Sequence, residues 1–292
     1  MNRGEPNLSK IPRNKSDAGR SGIWKATALV AFVLLIGVSL TWWCVRIDEN
    51  VAGRTPVPPA AVTPGSDPKA DLKTQLATGR FALAFDGEQS VVRVPSLEVN
   101  EDHAVTVEAW TVWEQPADQP KSCDLLGNAG LRGGFTLYAP LPLHGGDGKK
   151  LAFAIRLTDP DKYILAWEKQ PVPRHQLIHV AGVYDGNAEI RFYVQGQLQS
   201  RTPAQGVKST PSRFRLGNNR AGDGGFLGRM QEVRVSKVAR YDNDFTPVRR
   251  FEPDPDTIAL YHFDEGSGDM LKDSSGNGHH GEIVGAKWVK AD

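Results

Sequence analysis

Two regimes of hydrophobic patterning divide the chain. Ala26 to Cys44, ATALVAFVLLIGVSLTWWC, is an apolar run without a charged side chain. From Thr74 onward apolar and polar positions alternate with a period of two. FALAF puts Phe81, Leu83 and Phe85 on one face before the Asp86-Gly87 turn, and VVRVP gives a short strand ended by Pro95. AVTVEAWTVW carries apolar weight on both faces, which predicts a central strand between two layers. GFTLYA, KLAFAIRL, YILAW and LIHVAGVY follow, and Asp185-Gly186-Asn187 predicts a hairpin into EIRFYVQ because these residues tolerate positive φ. RFRLG, GRMQEVRVS, TIALYHF and EIVGAKWV bring the count to about a dozen short strands separated by Gly, Asp and Asn. That is the pattern of an all-β, two-sheet jelly-roll sandwich. The one predicted helical turn lies around Lys237 to Tyr241.

The apolar run reads differently. Nineteen residues at a helical rise of 1.5 Å span roughly 28 Å, close to the hydrocarbon thickness of a bilayer. Trp24, Trp42 and Trp43 stand at its ends, where indole prefers the interface. The run is longer than a cleaved leader's apolar core, and no small-residue cleavage site follows it. A transmembrane signal anchor is therefore expected over residues 25–45. The first 25 residues hold six basic and two acidic side chains, a balance of +4 against +1 for the whole chain. The basic flank assigns residues 1–24 to a cytoplasmic tail and the C-terminal domain to the extracytoplasmic side. Residues 46–74 are rich in proline and read as a semi-extended linker. Residues 75–292 are long enough for one sandwich domain.

Charge narrows the partners. Subtracting the +4 tail leaves −3 on the rest of the chain, so nucleic acid is not an expected partner. Cys44 lies in the membrane segment and Cys123 is alone in the outer domain, where it reads as a small buried apolar residue.

Five stretches together carry a resemblance: ALAFDGEQSVVRVP, AVTVEAW, HVAGVYDGNAEIRFYVQGQLQ, GRMQEVRVSKVARYDNDFTP and YHFDEGSGDMLKDSSGNGHHGEIVGAKWV. They resemble the concanavalin A-like lectin/glucanase superfamily, in particular its laminin-G-like branch, from about Ala77 to Val289. The resemblance implies a jelly roll, often with an edge calcium ion, that binds carbohydrate or protein; the superfamily also contains glycoside hydrolases. Two departures stand out. The FDEGSG segment follows the last strands instead of preceding the first, and Gln231 stands where an acidic residue often precedes the glutamate of the EVR strand.

Catalysis lacks its signature. Glycoside hydrolysis needs two facing carboxyl groups, and no strand here reads Glu-x-Asp-x-Glu: Glu108 is followed by Trp110 and Glu232 by Arg234. No Gly-x-Ser-x-Gly elbow occurs. No catalytic residue is therefore assigned. Calcium has a partial pattern. Asp273, Ser275 and Asn277 with Gly278 imitate the first half of an EF-hand loop, but position 12 is Val284. A non-EF site using Asp273 and Asn277, with Asp86 brought in from the first strand, stands against simple turn capping by the same side chains. His279 and His280, adjacent, point opposite ways on a strand and read as solvated turn residues, while His262 reads as outward-facing.

For a glycan, aromatic platforms are needed beside polar loops. Trp113, Tyr163 and Trp167 lie near loop ends, whereas Trp110 and Trp288 read as packing residues. The loop NNRAGDGGF supplies Asn218, Asn219 and Asp223 as a ligand rim. The expectation is a membrane-anchored, non-catalytic binding module for a glycan or an envelope protein. The alternative is a scaffold subunit of an envelope complex, and a diverged glycoside hydrolase survives only if two carboxylates converge.

Overall fold

The computed structural model describes residues 81–97, 99, 104–118, 121–128, 133–142, 145–157, 162–205 and 213–291. The expected anchor and linker lie outside these residues. Sixteen strands form among them. They are β1 (Phe81–Asp86), β2 (Val91–Ser96), β3 (Val105–Trp113), β4 (Cys123–Gly127), β5 (Gly134–Ala139), β6 (Ala152–Arg156), β7 (Tyr163–Trp167) and β8 (Leu177–Tyr184). The others are β9 (Glu189–Val194), β10 (Gln197–Pro203), β11 (Arg213–Leu216), β12 (Leu227–Ser236), β13 (Thr257–Tyr261), β14 (Met270–Leu271), β15 (Gly281–Val284) and β16 (Lys287–Lys290).

The strands build two antiparallel sheets. Sheet I runs β10-β9-β8-β3-β12-β1-β16, with β13 also on β12; sheet II runs β14-β15-β2-β11-β4-β5-β6-β7. Their inner faces meet in one core. Val107, Trp113, Val180, Phe192, Met230 and Val233 face Val92, Leu126, Phe135, Leu137, Phe153 and Phe214 across it, all buried. The period-two pattern of the sequence is thus realised as one face of each strand turned to this core, the form in which a strand gives up apolar surface. The predicted hairpin is present. Asp185 Oδ1 accepts from the backbone amides of Asn187, Ala188 and Glu189 at 2.9, 2.8 and 3.1 Å, fixing the turn between β8 and β9.

β3 is buried on both faces, as a central strand between layers should be. Its second layer is a strap, residues 237–256, laid across the outer face of sheet I. Phe251 packs with Trp110 and Leu260, and Tyr241 and Phe245 stack on each other at 3.5 Å beside Tyr193. The predicted helical turn at Lys237 to Tyr241 does not form. Its polar groups are used by the sheet: Thr106 Oγ1 donates to Val238 O and accepts from the Arg240 amide, so the local chain follows β3 and not an i to i+4 ladder.

EIVGAKWV, read as one strand, is two. Gly285 has φ of 76°, and this left-handed position turns the chain from β15, paired with β2 in sheet II, to β16, paired with β1 in sheet I. The C-terminal segment therefore returns beside the first two strands. That accounts for a FDEGSG segment at the end of the sequence: the strand order of the sheets is served from either terminus.

Candidate functional site

The two outer faces differ. That of sheet I lies under the strap. That of sheet II carries the side chains that alternate out of β2, β11, β4, β5, β6 and β7, and hydrogen-bond register sets them in rows. One row runs Glu282, Arg93, Arg215, Gly127, Thr136, Ala154, Leu165. The next runs Asp124, Tyr138, Ala152, Trp167. Gly127 leaves a gap in the first row. A Cβ there would lie 2.5 Å from Phe135 O and 2.7 Å from Thr136 Cα, so the gap cannot be filled without moving β5. Beside it is a small recess of about 20 Å3 whose walls include Asp124, Thr136, Arg213, Arg215 and Asn219.

The predicted rim residues divide accordingly. Asn218, Asn219 and Asp223 share the loop between β11 and β12. Asn218 Nδ2 donates to Glu88 O at 2.8 Å, Asn219 Nδ2 to Asp223 Oδ1 at 2.7 Å, and the Gly222 amide to Asn219 Oδ1 at 2.8 Å. Asn218 and Asn219 line the recess. Trp167 is half-buried at the far edge of the same face. Three strand spacings separate its row position from Asp124, roughly 14 Å. Its strand is fastened to the edge of sheet I, where Ser200 Oγ donates to Trp167 O and Thr202 Oγ1 to Leu165 O. Tyr163 joins it on that face, its ring 6.0 Å from that of Tyr138 and under the Arg156 guanidinium. Trp113, by contrast, is a core residue: it is fully buried with Arg174 over its ring, because its β3 position faces inward. Trp110 and Trp288 pack as expected, the first under the strap and the second on the edge strand β16.

Asp124 is the recess residue that sequence reasoning missed. Burial, with the nearby Asp223 charge, pushes its carboxyl up to about 7, while Thr136 and Asn219 pull it partly back. Thr136 Oγ1 donates to it at 3.1 Å. Arg215 is held below the usual guanidinium range by burial and by Arg220, Arg93 and Arg213. Cys123, one residue before Asp124, faces the core, and burial raises its thiol to about 12.

Sheet I places Glu108 and Glu232 on one face of adjacent strands, since Glu108 opposes Arg234 and Glu232 opposes Trp110. No single-strand motif could show this. Glu108 is completely buried. It accepts from Arg234 Nε at 2.8 Å and from Tyr241 Oη at 2.8 Å, and His179 Nε2 lies 3.0 Å away. Burial opposes its ionisation, yet His179, Arg234 and Tyr241 together hold its carboxyl below the usual range. Glu232 meets His262 Nδ1 at 3.0 Å. His262 therefore faces the outer side of sheet I, as read from the sequence, but meets a carboxylate there, a pairing from β12 to the end of β13 invisible in the sequence.

The calcium residues are arranged as turn caps. Asp273 Oδ1 accepts from the amides of Leu260 and Ser275, and Oδ2 from Ser275 Oγ and the His279 amide. All four lone-pair positions are filled by donors. Asn277 turns its amide nitrogen onto Thr257 O and Ile258 O, which can only accept. Asp86 Oδ1 takes donors from Glu88, Gln89 and Ser90. Its strand position opposes Leu227, whereas Leu260 opposes Arg234; seven residues along β12 separate them by roughly 23 Å. These residues do not fit a shared calcium ion, and no cluster of three or more acidic, His or Cys side chains suited to a metal occurs among the described residues. His279 and His280 lie in the turn, His280 exposed to solvent as read from the sequence, while its Nδ1 accepts from the Asp273 amide at 3.0 Å.

A two-sheet antiparallel sandwich, with a strap over one outer face and a polar recess in the other, defines a jelly-roll class of β domain. Residues 86–244, just over half of the chain, match the Laminin_G_3 family of the concanavalin A-like lectin/glucanases superfamily, and the chain belongs to it. No curated protein matches the sequence. Among solved structures, a Bacteroides ovatus protein proposed to bind carbohydrate is similar with a TM-score of 0.60 at 20% identity. The match covers 74% of this chain and 61% of that one, so the chain spans about three fifths of its length. Domains LG4-5 of the mouse laminin alpha1 chain are similar at TM-score 0.41 and 13% identity, over 54% of this chain and 42% of that one. The CBM40 domain of the Ruminococcus gnavus IT-sialidase, solved with alpha2,6 sialyllactose, is similar at TM-score 0.38 and 14% identity, over 53% and 94%.

Proposed function

We propose that residues 75–292 are a non-catalytic glycan-binding module, held at a membrane by residues 25–45 with residues 1–24 in the cytoplasm. One observation carries the binding reading: on the outer face of sheet II a polar recess and the half-buried Tyr163 and Trp167 share adjoining rows. Sugars are recognised by this combination, an aromatic face for the apolar side of the ring and fixed polar groups for the hydroxyls. Tyr138 and Ala152, which lie between Asp124 and Trp167 in the row, are buried, so the recess and the Trp167 edge are two separate contact points for a ligand. At about 20 Å3 the recess takes one small group and does not engulf a ligand, for which pockets of ~300–1,000 Å3 are usual. The non-catalytic reading is supported by sheet I, where Glu108 is sealed beneath the strap and already held by a guanidinium, an imidazole and a phenol. A substrate would have to displace that strap to reach it.

A glycan array probed with the 292-residue chain and with Trp167→Ala tests this. Binding by the parent chain and a loss of tenfold or more in the variant are expected, with unchanged circular dichroism. Absence of any glycan binding by the parent, or full binding by the variant, would overturn the reading. Carbonate extraction of membranes tests the anchor: the chain should stay in the pellet, and one lacking residues 1–45 should not.

A further inference from the structure

Among the described residues the arginines are, with three exceptions, partnered. Arg191, Arg201, Arg229, Arg234, Arg240 and Arg250 each meet a carboxylate. Arg174 donates to Gln115 O and Lys149 O, Arg249 to Gln231 while lying over Trp110, and Arg156 sits over Tyr163. Arg93 reaches Glu282 at 3.5 Å. Arg213, Arg215 and Arg220 have neither a hydrogen bond nor an ion pair among the described residues. All three line the recess on sheet II.

Their placement is costly for the free protein. Arg215 stands directly opposite Arg93 in the β2–β11 ladder, and like charges facing each other across strands destabilise a sheet. Arg215 is also half-buried, so its charge has lost part of its hydration without gaining a counter-charge. The neighbouring carboxyl does not neutralise it: Asp124 bonds to Thr136, and Asp223 bonds to Asn219. A planar guanidinium with its donors unspent, ringed by other cations on a body of net negative charge, is built for an incoming anion. Guanidinium forks bind carboxylate and sulfate oxygens in pairs, which a lysine cannot reproduce.

We infer that the recess selects acidic glycans, with Arg215 as the central anchor for a carboxylate or sulfate group and Arg213 and Arg220 at its walls. The inference rests on the glycan-binding reading above and gives it a ligand class. The anion enters beside Gly127, where the row has no side chain. Asn219, tied to its own loop through Asp223 and Gly222, holds the adjoining wall in place. Occupancy by an anion relieves the repulsion between Arg215 and Arg93, so binding and domain stability are coupled.

The test compares the 292-residue chain with Arg215→Gln and Arg215→Lys by titration against hyaluronan, which offers carboxylates only, chondroitin sulfate, neutral dextran, and duplex DNA as a repetitive polyanion. Thermal midpoints are read alongside. The parent should bind at least one acidic glycan tenfold or more tighter than dextran. Arg215→Gln should lose that preference by tenfold or more while its midpoint stays level or rises, an outcome that a purely structural arginine would not give. Arg215→Lys should fall between them, because it keeps the charge and loses the fork. Hyaluronan against chondroitin sulfate distinguishes carboxylate from sulfate as the group recognised. Equal binding of acidic glycans and dextran, unaffected by Arg215→Gln, overturns this inference and leaves the glycan reading standing. No binding to any polysaccharide overturns both. Equal affinity for DNA and glycan, with Arg215→Lys fully active, reduces the patch to unselective charge attraction and also overturns it.

Discussion

Asp124 and Glu108 are both carboxylates on outer sheet faces, and their surroundings push them in opposite directions. Asp124 lies in the recess with a folded-state pKa of about 7, against 3.8 for an unperturbed group. Between these values the folded chain keeps a proton that the unfolded chain has released. The group therefore lowers stability as pH rises from about 4 to about 7. Asp124→Asn copies the protonated form, so the variant should match the parent near pH 4 and exceed its thermal midpoint increasingly toward pH 8. A difference that stays flat with pH would show that Asp124 is not the titrating group. Glu108 works the other way. Its carboxyl is held below the usual range, so its contribution is present at neutral pH and lost as pH falls through the acid range. Removing one member of a buried ion cluster costs about 3–5 kcal/mol, and urea unfolding of Glu108→Gln at pH 7 should show this, with a smaller loss at pH 3. Replacing Arg234 by Met in the same chain should restore part of it, because no uncompensated cation then remains. Neither environment is legible in the sequence. Glu108 and Arg234 are 126 residues apart, Arg93 and Arg215 also lie far apart in the chain, and only ladder register makes each pair neighbours. A net charge near zero conceals the arginine cluster for the same reason.

At the level of elements, the strands were readable because each buries alternate side chains in a common core, and that requirement is written locally. The strap was not, since an irregular segment has no period; its residues are fixed by what they cover. Phe251 is fully buried between Trp110, His179 and the Arg234 guanidinium, 4.5 Å above its ring. Phe251→Ala should cost about 3–5 kcal/mol by cavity formation, measured by chemical denaturation, and should increase amide exchange in β3 and β8, whose outer face it covers. Loss of stability without faster exchange there would mean that the strap is not what shields this face. The Asp273 loop makes a second element-scale case. Its spacing imitated a cation loop, yet the same oxygens are spent on capping Leu260, Ser275 and His279. Excess calcium or chelator should leave the thermal midpoint unchanged; a calcium-dependent rise would mean that the loop rearranges to bind the ion.

At the scale of the whole molecule, the C-terminal segment decides how far the domain extends. The matched family region ends at residue 244, but the chain beyond it enters both sheets. β13 lies on β12, β15 on β2 and β16 on β1, and Phe251, Leu260, Tyr261, Phe263 and Leu271 are each fully buried. Removing residues 245–292 would uncover the outer edge of β1, which then has no partner beyond β12, and would expose the hydrophobic end of the core. It would also remove residues 245–256 of the strap, Phe251 among them, and so uncover part of the buried ion cluster around Glu108 and Arg234. A chain ending at Asp244 should therefore lose cooperative unfolding and near-ultraviolet circular dichroism, although every strand bordering the recess except β15-paired β2 keeps both neighbours. Because the denaturant slope scales with the surface exposed on unfolding, a shortened chain that unfolded cooperatively with the parent's slope would show instead that residues 245–292 are an appendage, and that the sandwich is complete without them.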